Sequence, residues 1–253
     1  MDLIQNRAMR YYLGVHKFAP NVGVEGEMGW LSPKVCRNLG LVRFWNRLMD
    51  MDNNRLTKII FNWDYVRRGS KWNSEIQKIF NSVESTNIYQ QQQKYDVNLL
   101  KEKLTEKFII EWKAKILKKP KLRTYITFKD EFAVEEYVKF NKSRHARSLL
   151  AQFRLGILPL KIETGRFNNL AVEQRICDLC TTKHIEDEKH FLCNCPLYLT
   201  PRQKLYEAAN SLFPPFNNLN ENGKFIFIMK NMRNDLSEYI TTSWNLRQRK
   251  LYQ

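Results

Sequence analysis

Apolar residues recur at helical spacing over most of the chain. Ile4, Ala8, Tyr11 and Tyr12 share a face in residues 2–13, with Gly14 as the stop. Residues 20–28 are short and broken by glycine. Ser32-Pro33 offers a cap followed by proline at the first helical position, and predicts a helix over 33–50. Val35, Leu39, Val42, Trp45 and Met49 form one of its faces; Leu41, Phe44 and Leu48 form a second. Arg43 and Arg47, four apart, share a polar stripe. A helix apolar on two sides is held between neighbours. The next predicted helix, 55–66, carries Leu56, Ile59, Ile60 and Trp63 and stops at Arg67-Arg68-Gly69; another covers 72–83. Residues 84–94, with glutamine at all positions from 90 to 93, read as a linker, and the main domain boundary is expected there.

A long helix is predicted from Val97 to about Lys118, with Val97, Leu100, Leu104, Phe108, Trp112 and Ile116 near one side. Pro120 stops it. Tyr125-Ile-Thr-Phe128 alternates weakly and suggests a short strand; 131–140 reads as helix. Ser143 caps a helix to Leu155, with Ala146, Leu149, Leu150 and Phe153 inward and Arg144, Arg147 and Arg154 on the adjacent face. Residues 157–160 form an extended turn into Glu163-Thr-Gly-Arg166. Downstream, 200–213 is helical up to Pro214-Pro215, 224–229 is apolar, and a last helix carries Met232, Leu236, Tyr239, Ile240 and Trp244. The expected fold is mainly α, built of helical bundle regions with little or no sheet.

Charge adds a second theme. Lys and Arg number 42 against 26 acids, a net charge of +16, which favours a polyanionic partner, RNA or DNA. Nine basic and three acidic residues lie between Lys101 and Arg123. The phosphate-binding candidates are Arg43, Arg47, Lys113, Lys115, Lys118, Lys119, Arg144, Arg147 and Arg154. No apolar run is long enough to span a membrane and no signal-peptide pattern stands at the N-terminus, so an intracellular place, nuclear or cytoplasmic, is expected.

Four of the five cysteines and two of the four histidines fall between 177 and 195. Cys177-Asp-Leu-Cys180 lets two sulfurs face one point from a tight turn, as tetrahedral zinc requires, and His190, Cys193 and Cys195 follow close behind. Soft thiolates with imidazole point to Zn2+ in a closed, structural site, the small knuckle of an otherwise helical chain. Spacing leaves the fourth ligand open. If 187–193 is helical, His190 and Cys193 share a face; Cys195, before Pro196, could swing back instead. His184 sits mid-loop and is expected to face solvent. Phe191 and Tyr198, beside the knuckle, suit core packing better than stacking on bases.

Catalytic patterns are missing. There is no Gly-rich phosphate loop and no G-x-S-x-G; His16 and His145 stand alone, and Asp50 and Asp52 read as loop residues. No small-molecule substrate is expected.

The run from Arg147 to Arg166 (RSLLAQFRLGILPLKIETGR) is followed by Arg175-Ile-Cys177-Asp-Leu-Cys180, Ile185-Glu-Asp-Glu-Lys-His190-Phe-Leu and Cys195-Pro196-Leu-Tyr198. Together these resemble the region C-terminal to the polymerase in non-LTR (LINE-like) retrotransposon reverse transcriptases. Gln5-Asn-Arg-Ala-Met-Arg-Tyr-Tyr-Leu-Gly-Val15 and Gly29-Trp30 resemble the segment after the catalytic palm of the same family. The resemblance implies a thumb-like helical region over 1–84, a linker over 85–94 and a basic connecting region over 95–170. A CCHC zinc knuckle over 171–200 and C-terminal helices over 201–253 complete it. It implies Cys177, Cys180, His190 and Cys195 as ligands, with Cys193 on a variable position, and a role in holding element RNA or target DNA. The family's Tyr/Phe-x-Asp-Asp metal motif occurs nowhere in the chain, so no polymerase activity is expected. Two alternatives stand beside this: a docking scaffold for the polymerase core, for which the second apolar face of the 33–50 helix speaks, or a decayed element copy without independent function.

Overall fold

A computed structural model describes residues 2–67, 69–140 and 143–252. Arg68, at the expected end of the fourth helix, lies outside them. Thirteen α-helices are found among the described residues: α1 (Asp2–Leu13), α2 (Asn21–Met28), α3 (Pro33–Met49), α4 (Leu56–Arg67), α5 (Lys71–Ser82), α6 (Thr86–Gln90), α7 (Val97–Leu117), α8 (Glu136–Phe140), α9 (Arg144–Arg154), α10 (Lys161–Phe167), α11 (Leu199–Leu212), α12 (Glu221–Asn231) and α13 (Arg233–Leu251). No strand occurs among them; a single antiparallel bridge joins Ile176 and Ile185. The fold is mainly α, as expected. Among the described residues no helix is long and apolar enough to cross a membrane.

The chain divides into two compact units, Leu31–Lys113 and, discontinuously, Leu3–Trp30 with Ala114–Gln253. The first is built around Trp45 of α3, which is fully buried. Phe61, Phe80 and Tyr89 surround its ring at 5.5–5.7 Å, with Trp72 at 6.5 Å. The Trp45 Nε1–H donates to the Gln93 carbonyl at 2.8 Å, and the Asn46 side chain exchanges two hydrogen bonds with the backbone of Tyr95. These contacts explain a departure from the expected linker at 85–94. Its glutamine side chains are polar, but its carbonyls accept from Trp45 and Tyr65, and Tyr89 within it and Tyr95 just after it are core residues. The unit boundaries fall at 30/31 and 113/114 instead.

The second unit holds the cysteine cluster. Here α13 packs along α9, α11 and α12. The segment 20–28 is helical despite its glycines. Gly23 is needed for close approach, since a Cβ there would stand 2.6 Å from Leu155 Cδ2. Gly29 ends α2 with φ +60°, where a Cβ would meet the Val134 nitrogen at 2.3 Å. The expected strand at 125–128 is a 3-10 turn, Tyr125–Thr127: four alternating residues without a partner strand have no ladder to join. Of the helix expected over 131–140, only α8 forms. Ser143 caps α9 as predicted, accepting from the Ala146 N–H.

Replacing Trp45 with alanine removes the centre of the first core. A loss of about 3–5 kcal/mol is expected in urea unfolding of the full chain; a loss below about 1 kcal/mol would contradict this placement.

Candidate metal centre

The bridge between Ile176 and Ile185 is the base of the knuckle. The Cys177 N–H donates to the His184 carbonyl at 2.9 Å and the Glu186 N–H to the Arg175 carbonyl at 2.9 Å. Between these rungs the chain makes the turn that carries Cys180. The remaining ligands come from a π-helical turn, His190–Asn194, capped by Asp187, whose Oδ1 accepts from the His190 N–H at 2.8 Å. This turn decides which of the two cysteines joins the cluster. The Cys195 N–H donates to the His190 carbonyl at 2.8 Å, an i→i+5 bond that puts residues five apart one turn apart. Cys195 therefore returns to the side of His190. In an α-helical turn Cys193 would have shared that face; here it lies outside the cluster, beside Tyr206.

Cys177, Cys180, His190 and Cys195 bring their ligand atoms within 4.8 Å of one another and could hold a metal ion. Cys180 Sγ lies 3.5 Å from His190 Nε2. A tetrahedral ion with metal–sulfur and metal–nitrogen bonds of about 2.3 and 2.0 Å sets such a pair about 3.5 Å apart, so the donor set fits. The protonation pattern fits as well. The hydrogen bond between Cys177 and Cys195, with burial, pushes Cys177 up to about 12, and the same bond holds Cys195 below the usual thiol range. Burial opposes the charged form of His190, yet its hydrogen bonds to Cys177 and Cys180 raise it overall. An ion bound there would displace the protons of these hydrogen bonds. His184 is exposed, as expected.

Two buried carboxylates, Glu186 and Glu188, fasten the knuckle to its surroundings, and a third, Glu163, lies beside them on α10. Glu186, 1% exposed, accepts from both Arg247 terminal nitrogens on α13, from the Lys161 N–H at the start of α10 at 2.8 Å, and from the Cys177 thiol at 3.6 Å. Glu188 pairs with Arg123 at 2.5 Å, and Glu163 with Lys121 and Arg166. Phe191, fully buried, packs on Phe153, Tyr198 and Tyr239, and its carbonyl accepts from the Tyr239 hydroxyl at 2.6 Å. Phe191 and Tyr198 are thus core residues and cannot stack on bases. None of these carboxylate pairs is named by spacing; the one sequence signal is Glu186-Asp-Glu188, three consecutive acids inside the ligand segment of a basic chain.

The phosphate candidates separate. Arg43 and Arg47 on α3 are exposed, as are Lys113, Lys115, Lys118 and Lys119 at and after the end of α7. Arg144 is exposed and lies over Tyr11 at 4.7 Å; Arg147, half-buried, lies over Tyr12 at 4.5 Å and donates to the Tyr12 carbonyl. Arg154 is a correction. It points along the same side of α9 as Arg147, but at that end of the helix α2 and the segment before α8 cover it. It is 4% exposed, pairs with Glu27 and Glu135, and donates to the Met229 carbonyl. It is a core ion pair with no phosphate to reach. Helical spacing gave its direction but not what packs there; Glu27, an acid set among Val22, Val24 and Met28, was the available signal.

No protein-family profile, curated protein or solved structure matches the chain. Fold and cluster define a mainly α protein with a candidate metal site of three cysteines and one histidine.

Purified from zinc-containing medium, the Cys193→Ser chain is expected to carry as much metal by mass spectrometry as the wild type, and Cys195→Ser close to none. Equal loss in both, or loss only in the first, would displace Cys195 from the site.

Proposed function

We propose that the chain is a non-catalytic nucleic-acid-binding module stabilised by a structural Zn2+, of the kind that follows the polymerase in non-LTR retrotransposon reverse transcriptases. The observation that carries this reading is the meeting of Cys177, Cys180, His190 and Cys195 in one cluster on a chain of net charge +16. Three thiolates and an imidazole leave no open position for a reacting water, which suits a structural ion. Such an ion contributes roughly 10–16 kcal/mol of apparent binding energy in small finger peptides, ample to order a knuckle without a core of its own.

The unit that holds the cluster also exposes interleaved cations and aromatic rings. Arg144 with Tyr11, Arg147 with Tyr12 and Lys17 with Phe18 are each stacked within about 5 Å. Side chains of this kind hold single strands by phosphate attraction and base stacking. Element RNA or target DNA is the proposed ligand, in a nuclear or cytoplasmic setting.

A specific observation keeps a docking reading beside it. The second face of α3 is only partly covered: Leu48 is buried and Leu41 half-buried, while Phe44 packs edge-on against Trp72 and stays 41% exposed. It is α4 that presents an apolar stripe, Leu56, Ile59, Ile60, Trp63 and Val66, all more than half exposed. Four of the five are aliphatic, which suits a protein surface such as a polymerase core better than a phosphate backbone.

Anisotropy titrations with single-stranded RNA should show binding that weakens steeply with salt. Arg144→Ala should lower the slope of log K against log salt by about 0.7, one phosphate contact on a single strand. Absence of binding at low salt to both RNA and DNA would overturn the nucleic-acid reading and leave the docking one.

A further inference from the structure

Buried charges in the second unit are balanced, with one exception beside the metal site. Glu163 is answered by Lys121 and Arg166, Glu186 by Arg247, Glu188 by Arg123, and Glu27 by Arg154. Arg202 of α11 is 6% exposed and has no carboxylate partner among the described residues. Its Nη2 donates to the carbonyl of Cys195 at 2.6 Å, and its Nη1, also buried, has no hydrogen-bond partner. Its charge is felt by a thiol and two phenols, Cys193, Tyr206 and Tyr239; Glu221, the carboxylate that also reaches Cys193 and Tyr206, is exposed and forms no ion pair with Arg202. A buried guanidinium without an anion is strongly unfavourable.

The missing anion is supplied if the cluster is loaded. Three thiolates around a divalent cation leave one net negative charge, and the imidazole adds none. That charge is spread over sulfurs of which one belongs to Cys195, the residue whose carbonyl Arg202 grips. We propose that Arg202 is the buried counter-cation of the metal centre, so that ion binding and the Arg202 charge stabilise each other. Arg202 touches no ligand atom of the ion; it is a positioning residue acting through Cys195 and through its charge. The inference rests on the cluster being a divalent metal site. The competing account is that Arg202 merely donates a hydrogen bond to a turn carbonyl.

The two accounts differ in sign in the metal-free protein. A structural hydrogen bond stabilises the chain whether or not the ion is present. A counter-cation stabilises only the loaded form and is a burden to the empty one. The test uses the full chain as wild type, R202M, R202Q, which keeps an N–H donor without charge, and R202K, which keeps the charge. Zinc affinity is read by competition with a chromophoric chelator, and urea midpoints are measured with and without zinc. R202M and R202Q should bind zinc about tenfold to a hundredfold more weakly, the range typical of groups behind the ligands, and R202K should stay close to wild type. The metal-free midpoints of R202M and R202Q should be no lower than that of the wild type. Wild-type affinity in both neutral variants would overturn the proposal while leaving the metal site intact. Loss of midpoint in both metal states, or failure of the neutral variants to fold without metal, would overturn it in favour of the structural hydrogen bond. A wild-type chain that binds no zinc would remove the site reading and this inference together.

Discussion

A knuckle of some twenty residues cannot bury enough apolar surface to hold itself, so what its polar groups bind decides whether it has a shape at all. Between Arg175 and Cys195 only one β-bridge and one π-helical turn provide backbone order. The rest comes from the four convergent ligand side chains and from carboxylates that reach out to the surrounding helices. Glu186 is the junction of the two systems. One of its oxygens stands 3.6 Å from Cys177 Sγ, and the same carboxylate accepts from Arg247 on α13 and from the first N–H of α10. The candidate metal centre and the packing of the last helix are therefore mechanically linked through one buried side chain.

That linkage explains the arrangement of the second unit. Phe191 lies directly after His190 of the cluster and fills the space between α9 and α13, so the π-turn that places His190 and Cys195 also sets a core ring. Arg202 approaches from α11 onto the carbonyl of Cys195. Helices on three sides thus contact residues within the ligand segment. In the proposed function this makes the ion a structural element of a basic helical body whose exposed Arg–Tyr stacks on α1 and α9 stand ready for nucleic acid.

Much of this was legible in the sequence, and the misses share a cause. Helices α3, α7 and α13 follow from apolar spacing, and the Ser32 and Ser143 caps from local hydrogen-bond chemistry; α1 forms where expected, but the face read from its spacing, Ile4, Ala8, Tyr11 and Tyr12, is exposed, and Met9 and Leu13 are buried instead. The cysteine and histidine spacing named the cluster, while the choice between Cys193 and Cys195 depended on an i→i+5 turn, an uncommon geometry without a spacing signature. Arg154 and the glutamine-rich 85–94 segment were misjudged from pattern, and the exposure of the apolar stripe of α4 was left unread, for the same reason. Periodicity reports which way a side chain points. It does not report whether a distant segment arrives to cover it, as Glu27 and Glu135 do for Arg154, or stays away, as for Leu56 at 71% exposed.

The most direct measurement is X-ray absorption at the zinc edge of the purified, zinc-loaded chain. Three sulfurs at about 2.3 Å and one nitrogen at about 2.0 Å, with no oxygen, are the shell the account requires. A shell with two sulfurs, or one containing a water oxygen, would contradict a closed site formed by Cys177, Cys180, His190 and Cys195.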